Sequence, residues 1–493
     1  MSSVNHKPST AGIIVIGDEI LKGQTIDTNS TFICQHLYTW GVQVKKISVV
    51  SDELEEIAKE VKEFSEKYTH VVTSGGVGPT HDDLTFEGVA KAFNEKTLPH
   101  PDLVQLIKQY FGTDDLLSPK MKMAYVPESA KLQYGESKIS GKRTKYPMVS
   151  THNVYMFPGI PSLLEGAFVL FEDIFRDPNV KFFSRRIFID TDEITVSSIL
   201  QDNFNKYKES VSLGSYPDLH NSYFKVKLIL ESQIEDKLNS ACEELKSALP
   251  QGSVVKYDEN PLIDANEKIH ELLKSENGSE FAKKLEKSLH TIEKALERYS
   301  FDEICVGFNG GKDCTVLLHL VYAAVKRKYP SIDKKLKSLY IRSKLPFPEV
   351  EKFIQIARDR YNLNELMYYG RIKDCMGELK NQHPEIKAVF MGTRNTDPYS
   401  SHLEEFTMTD ADWPQFMRVN PILEWSYDDI WKFLRGLCVS YCSLYDRGYT
   451  SLGSMNNTHP NPTLQYIDYR GIVCYKPAHQ LQDNQLERDG RNV

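Results

Sequence analysis

The chain has 493 residues, of which 40% are hydrophobic and 26% charged, with a formal net charge of −8. That length predicts two to four domains at about 150 residues each, and the composition is that of an ordinary soluble globular protein. The acidic balance argues against a general nucleic-acid binder, and no apolar run reaches membrane-spanning length, so neither a nucleic-acid nor a membrane partner is expected. Phosphorylated ligands would need local positive groups against that background. The eight cysteines are dispersed without a CxxC pair. Reduced structural thiols fit that spacing better than a disulfide or zinc framework. Residues 1–10, MSSVNHKPST, lack a hydrophobic signal core and an Arg-rich amphipathic pattern, so a flexible tail and a cytoplasmic location are expected.

From residue 11 to 178 strands and helices alternate. Gly12 to Ile16 reads as a buried strand, Asp27 to Trp40 as a helix stopped by Gly41, and Val42 to Val50 as a second strand. Leu54, Ile57, Ala58, Val61 and Phe64 follow amphipathic helical spacing. Thr69 to Thr73 reads as a third strand, and Phe86, Val89, Ala90 and Phe93 mark the next helix. This order predicts a parallel sheet covered by helices, with ligands at the carboxyl ends of its strands. Two loops fall there. One holds Gly17 and Asp18; the other, Ser74 to Asp83, holds Gly75, Gly76, Gly78, Asp82 and Asp83. Its glycines can present backbone donors to phosphate, and Asp82 and Asp83 can hold a hard cation. The plainer alternative is a turn capped by one of these aspartates.

Residues 179 to 260 read strand–helix–strand–strand–helix–strand, the order of a small ferredoxin-like α+β module. Packing or subunit contact is the expected role there. Residues 261–278 read as a linker with one helical piece and a solvated charged face.

The C-terminal region, 279–493, returns to an α/β pattern. Glu303 to Phe308 reads as a buried strand, and an apolar helix follows. Between them stands Asn309-Gly310-Gly311-Lys312-Asp313-Cys314-Thr315. A glycine pair before a helix N-terminus forms an anion site, most often for phosphate. Lys312 adds a cation, and Asp313 a carboxylate in the first turn. Further on come Gly392 to Pro398, with Arg394 and Asp397, and Thr409 to Pro421, with Asp410, Trp413 and Arg418. A carboxylate, an aromatic ring and an arginine at this spacing suit a planar ligand bearing a phosphate, although the stretch by itself reads more simply as a core Trp and a surface Arg.

The glycine loop resembles the SGGKD[ST] signature of pyrophosphate-loop enzymes, with Asn309 in place of the serine. GDEI, GGVGPTHDD and Phe157 to Pro161 together resemble the molybdopterin-binding-like domain of molybdenum-cofactor and CinA-type proteins. VGFNGGKDCT, GTRNTDPYS, TDADWPQFMRVNPIL and LYDRGYTSLG occur in one order. That series resembles the FAD synthases (FMN adenylyltransferases), whose catalytic domain is related to phosphoadenylylsulfate reductases. The resemblance implies transfer of AMP from Mg²⁺-ATP to FMN, giving FAD and pyrophosphate. It implies catalytic roles for Asn309, Lys312, Asp313 and Asp410, with Asn309 and Asp410 as metal ligands. Asn309, Gly310, Gly311, Lys312 and Arg394, with Arg488 and Arg491 of the tail, would hold ATP and pyrophosphate. Asp410, Trp413 and Arg418 would meet the flavin. In the first domain the resemblance leaves two readings, an FAD pyrophosphatase or a non-catalytic binding or oligomerisation module. A homo-oligomer and FAD-accepting apoenzymes are the macromolecular partners to be expected. The fold class that follows is α/β, with two layered domains of mostly parallel sheet joined by the ferredoxin-like module.

Overall fold

A computed structural model describes residues 8–112, 115, 118–136, 141, 143–218 and 221–491. The expected tail at 1–10 therefore lies outside the described residues as far as residue 7. Contacts divide the chain into two units. One comprises Met1–Arg186, Ser198–Gly214 and Ile229–Ala248; the other comprises Ile187–Ser197, Ser215–Leu228 and Leu249–Val493.

In the first unit, β1 (Thr10–Ile16), β2 (Gln43–Val50) and β3 (His70–Ser74) are parallel, with β1 between the other two. β4 (Lys131–Gln133), β5 (Met148–Thr151) and β6 (Val154–Phe157) complete a sheet of order β2-β1-β3-β6-β5-β4. β6 runs parallel to β3, while β5 and β4 turn back antiparallel. Alternation along β1 feeds two cores, because successive side chains leave opposite faces of a strand. Ile14 and Ile16 join Ile57, Val61 and Phe64 of helix α2 (Leu54–Lys67) and Phe86 and Val89 of α3 (Thr85–Ala92). Ile13 and Val15 join Ile33 and Leu37 of α1 (Asn29–Thr39), with Trp40, Phe168 and Phe175.

The middle module contains β7 (Phe183–Ile189), α4 (Glu193–Tyr207), β8 (Ser212–Pro217), β9 (Val226–Ser232), α5 (Glu235–Ala248) and β10 (Val254–Val255). Its sheet order is β8-β9-β7-β10, as a ferredoxin-like connection requires. Residues 261–278 depart from the expected linker. Helix α6 (Ala265–Ser275) buries Ala265 and Ile269 in the core of the second unit, so its charged residues lie on one face only.

In that unit, α7 (Glu280–Arg298) leads to β11 (Ile304–Gly307). α8 (Lys312–Lys328), β12 (Leu336–Arg342), α9 (Pro348–Arg360), β13 (Leu363–Tyr369), α10 (Ile372–Gln382) and β14 (Ala388–Phe390) follow. β15 (Phe406–Met408), β16 (Met417–Val419) and α11 (Tyr427–Gly436) complete the layers. The sheet order is β13-β12-β11-β14-β16-β15, parallel except for β15. The chain leaves β11 to one side and returns at β14 on the other. That reversal opens a crevice at the carboxyl ends of β11 and β14, where α/β sheets bind ligands. β1 and β3 of the first unit stand in the same relation.

Helix α8 is buried nearly all round, as its unbroken apolar run requires. His319 lies inside it with Nδ1 2.9 Å from the Tyr361 hydroxyl. Burial pushes its imidazole down to about 3. The folded chain therefore stays unprotonated there while the unfolded chain takes up a proton below its ordinary value near 6.5. Stability from this group is complete above that value and declines as pH falls toward 3, by up to about 1.4 kcal/mol per pH unit. Thermal melts between pH 7 and 5 should show a steeper decline for the wild type than for His319→Asn; parallel declines would exclude His319 as the source.

Candidate active site

The glycine loop closes tightly over the end of β11. Gly310 has φ +75°, and a Cβ there would lie 3.1 Å from both Val350 and Ile354 of α9. Glycine is thus required for backbone and packing alike. Asn309 Oδ1 accepts from the Gly311 N–H at 3.0 Å and lies 2.9 Å from Cys314 Sγ. Cys314 stands at the hydroxyl position of the SGGKD[ST] pattern and braces Asn309, while burial pushes its thiol up to about 12. The Lys312 N–H donates to the Tyr445 hydroxyl at 2.8 Å. With the Asn309 N–H donating to Cys314 Sγ at 3.4 Å, three of the loop's N–H groups have side-chain acceptors, which glycine spacing alone does not reveal.

Below the loop lies a buried cluster of four charges. Lys312 and Arg394 are each only 2% exposed. Lys312 Nζ is 3.1 Å from Asp313 Oδ2 and 2.5 Å from Glu487 Oε1. Arg394 Nη2 donates to both Glu487 oxygens, at 2.6 and 2.7 Å. Its Nε is 2.8 Å from Asp313 Oδ1, an ion-pair contact without hydrogen-bond geometry. Burial raises the Asp313 carboxyl, but the Lys312 and Arg394 charges outweigh it and hold the group below the usual carboxylate range. Lys312 was expected to face phosphate, and Arg394 either phosphate or a loop-fixing salt bridge. Both side chains neutralise carboxylates, because buried charges need partners. Sequence reasoning missed Glu487, which is 175 residues from Lys312. It also missed Tyr445 and Tyr427, whose rings flank the Lys312 ammonium. No local spacing signals either arrangement.

A cleft of about 740 Å³ opens above this cluster. Its walls include Asn309, Gly311, Lys312 and Asp313, and also Asp410, Trp413, Arg418, Arg488 and Arg491. Gly310 and Arg394 are not among its lining residues. The Asp410 side chain is 67% exposed and lies 3.6 Å from Arg418 Nη2. The Arg418 Nε is buried without a hydrogen-bond partner, and Lys373 stands over the Trp413 ring. Arg491 donates to the Leu452 carbonyl at 2.8 Å, and Arg488 lies 3.4 Å from Asp397. Asn309 and Asp410 both line the cleft and carry oxygens, the donor type Mg²⁺ takes, and this ion needs few protein ligands when phosphates supply the rest.

In the first unit, the Gly17–Asp18 turn and the Gly75–Asp83 loop follow β1 and β3. The Asp18 N–H donates to Asp52 at 2.9 Å, and Lys22 pairs with the Asp18 carboxylate. Gly75 and Gly76 have φ +107° and +64°. Gly78 lies against Asp83, whose carboxylate accepts from the Thr80 N–H at 2.8 Å and from its hydroxyl. Asp83 therefore closes the Thr80–Asp83 turn but does not cap the following helix, whose N-cap is Leu84 without a side-chain cap, and Asp82 stays exposed. Asn29 donates to the Ser74 hydroxyl and the Gly159 carbonyl, and its Oδ1 is buried without a partner. Among the described residues, no group of three or more His, Cys, Asp or Glu side chains is placed to hold a metal ion.

Two strand-order reversals, one followed by a glycine loop with an adjoining lysine and aspartate beneath a cleft, define an α/β protein with ligand sites at the ends of its strands. Family models divide the chain accordingly. Residues 12–177 match a probable molybdopterin binding domain, and 181–258 match the FAD synthase middle domain. Residues 303–385 and 376–460 match the phosphoadenosine phosphosulfate reductase domain. The probable FAD synthase of Caenorhabditis briggsae is 39% identical over 98% of this chain and 96% of its own length. That of Caenorhabditis elegans is 38% identical over 98% and 97%. A solved structure of Candida glabrata FMN adenylyltransferase with FAD and inorganic pyrophosphate is 28% identical, covering 47% of this chain and 97% of that chain, with a TM-score of 0.43. The chain belongs to the FAD synthase family.

Proposed function

We propose that this chain transfers the AMP unit of ATP to FMN, producing FAD and pyrophosphate. The observation that carries the reading is that the glycine loop and the Asp410–Arg418 stretch open on one cleft in a member of this family. An FMN phosphate oxygen forms the new bond to the α phosphorus, and the bond to the bridging oxygen breaks as pyrophosphate departs. The attacking oxygen is already an anion at neutral pH, so no general base is required. Placement and charge stabilisation carry the step. Trp413 stacks on the flavin, and Arg418 takes its phosphate. Arg488 and Arg491 approach the ATP phosphates beside Gly310 and Gly311. Lys312, Asp313 and Arg394 hold the loop beneath them. Asn309 and Asp410 would hold Mg²⁺, which when bound neutralises phosphate charge.

In the first unit, Gly17, Asp18, Gly75, Gly76, Gly78, Asp82 and Asp83 form a second ligand pocket with FAD-hydrolysing capacity; its rival is a non-catalytic binding or oligomerisation module. The buried, unpartnered Asn29 Oδ1 beside the glycines supports a ligand there. Domain limits at 11–178, 179–260 and 279–493 belong to the same proposal, with α6 added to the last. So do a cytoplasmic location, a homo-oligomeric state and delivery of FAD to apoenzymes. Among the described residues no helix is long and apolar enough to cross a membrane.

Chromatography of the full chain with ATP, Mg²⁺ and FMN tests the main reading. FAD and pyrophosphate in equal amounts are expected, and flavin binding without FAD would refute it. Incubation with FAD and a divalent cation, followed for AMP and FMN, separates the two readings of the first unit.

A further inference from the structure

We propose that Glu487 is a positioning residue: its carboxylate fastens the C-terminal tail to the glycine loop and so aims Arg488 and Arg491 at the ATP phosphates. The inference deepens the proposed adenylyl transfer and rests on it. Within the four-charge cluster, Glu487 is the member from the tail; its Oε1 contacts both cations, and its Oε2 takes a further bond from Arg394. Lys312 and Arg394 balance Asp313 and Glu487, two charges against two. The cluster therefore has no spare positive charge for a ligand. That task falls to Arg488, adjacent to Glu487, and Arg491, one turn further on. Both line the cleft.

The surrounding loop fixes the tail's backbone. The Thr450 hydroxyl donates to the Glu487 carbonyl at 2.6 Å, and Asn461 donates to the Leu486 carbonyl at 2.7 Å. The His459 N–H donates to the Gly490 carbonyl at 2.8 Å. A Cβ at Gly453 would lie 2.4 Å from the Arg491 guanidinium, so that side chain lies flat on the glycine. These bonds join the tail to residues 450–461. Among the described residues, the Glu487 carboxylate ties it to Lys312 at the start of α8 and to Arg394 after β14, and Arg488 adds a 3.4 Å contact to Asp397 of that second loop. Without that charge the arginines would keep their loop but lose their registration with the glycine turn.

The test compares Glu487→Gln with wild type, each also in an Arg488→Ala/Arg491→Ala background. Mg²⁺-ATP affinity is read by calorimetry, and FAD formation is read in parallel. Glu487→Gln should weaken ATP binding at least about tenfold and leave the KM for FMN within about twofold. In the arginine-less background the same substitution should have an effect of less than about twofold, because coupled residues are not additive. An equal loss in both backgrounds, or unchanged ATP affinity, would overturn the proposal. Should Glu487→Gln fail to fold, Glu487→Asp keeps the charge on a shorter stem and enters the same comparison. Absence of FAD from wild type would refute the reading of function, while the ATP-binding comparison would still decide the role of the tail.

Discussion

Lys312→Ala should cut FAD synthesis by at least about tenfold and lower the stability of the second unit. The tenfold loss corresponds to about 1.4 kcal/mol of transition-state stabilisation. The stability loss follows from burial. Lys312 is 2% exposed and paired with both Asp313 and Glu487. Removing it leaves two buried carboxylates sharing Arg394, and breaking a buried pair from one side costs about 3–5 kcal/mol. Asp313 would then move back toward ordinary carboxylate behaviour. Lys312→Met keeps most of the stem between the Tyr427 and Tyr445 rings and isolates the charge. Scanning calorimetry and product chromatography on both variants measure the two effects. Wild-type turnover at unchanged melting temperature would remove Lys312 from site and scaffold alike.

Gly75→Ala should destabilise the first unit by about 3 kcal/mol or more and eliminate any FAD hydrolysis there, with FAD synthesis retained. A Cβ at this position would lie 2.1 Å from the Ile16 carbonyl oxygen, and φ is +107°. A non-glycine residue held at such a φ costs on the order of 1–3 kcal/mol, and the backbone clash adds to it. Gly23→Ala is the control. Its φ is +66° with no atom within 4 Å of the new Cβ, so about 1–2 kcal/mol is expected. Equal effects of the two substitutions on thermal unfolding would show that the close approach of β1 and β3 is not what requires glycine.

The contrast between these two loops shows what a sequence carries. The apolar periodicity of α2 and the unbroken run of α8 are local properties, and both helices form where their spacing places them, with bounds shifted by a few residues. β13 and α10 were not anticipated. β13 lies at the sheet edge, where Met367 and Tyr369 are exposed, so its alternation is weak. α6 read as a solvated linker because only Ala265 and Ile269 are fully buried, and their burial depends on the second unit's core.

The sequence by itself determined the α/β alternation, the glycine turns at strand ends and the chemical types in each motif. These follow from backbone sterics and residue periodicity within some twenty positions. Tertiary structure alone decided that the Asn309–Asp313 turn, the Asp410–Arg418 stretch and the C-terminal arginines share one cleft. It alone decided that Lys312 and Arg394 face inward. Their partner Glu487 arrives from the far end of the chain, and the energy of a buried charge depends on which opposite charge stands within a few ångströms of it, whatever their separation in sequence.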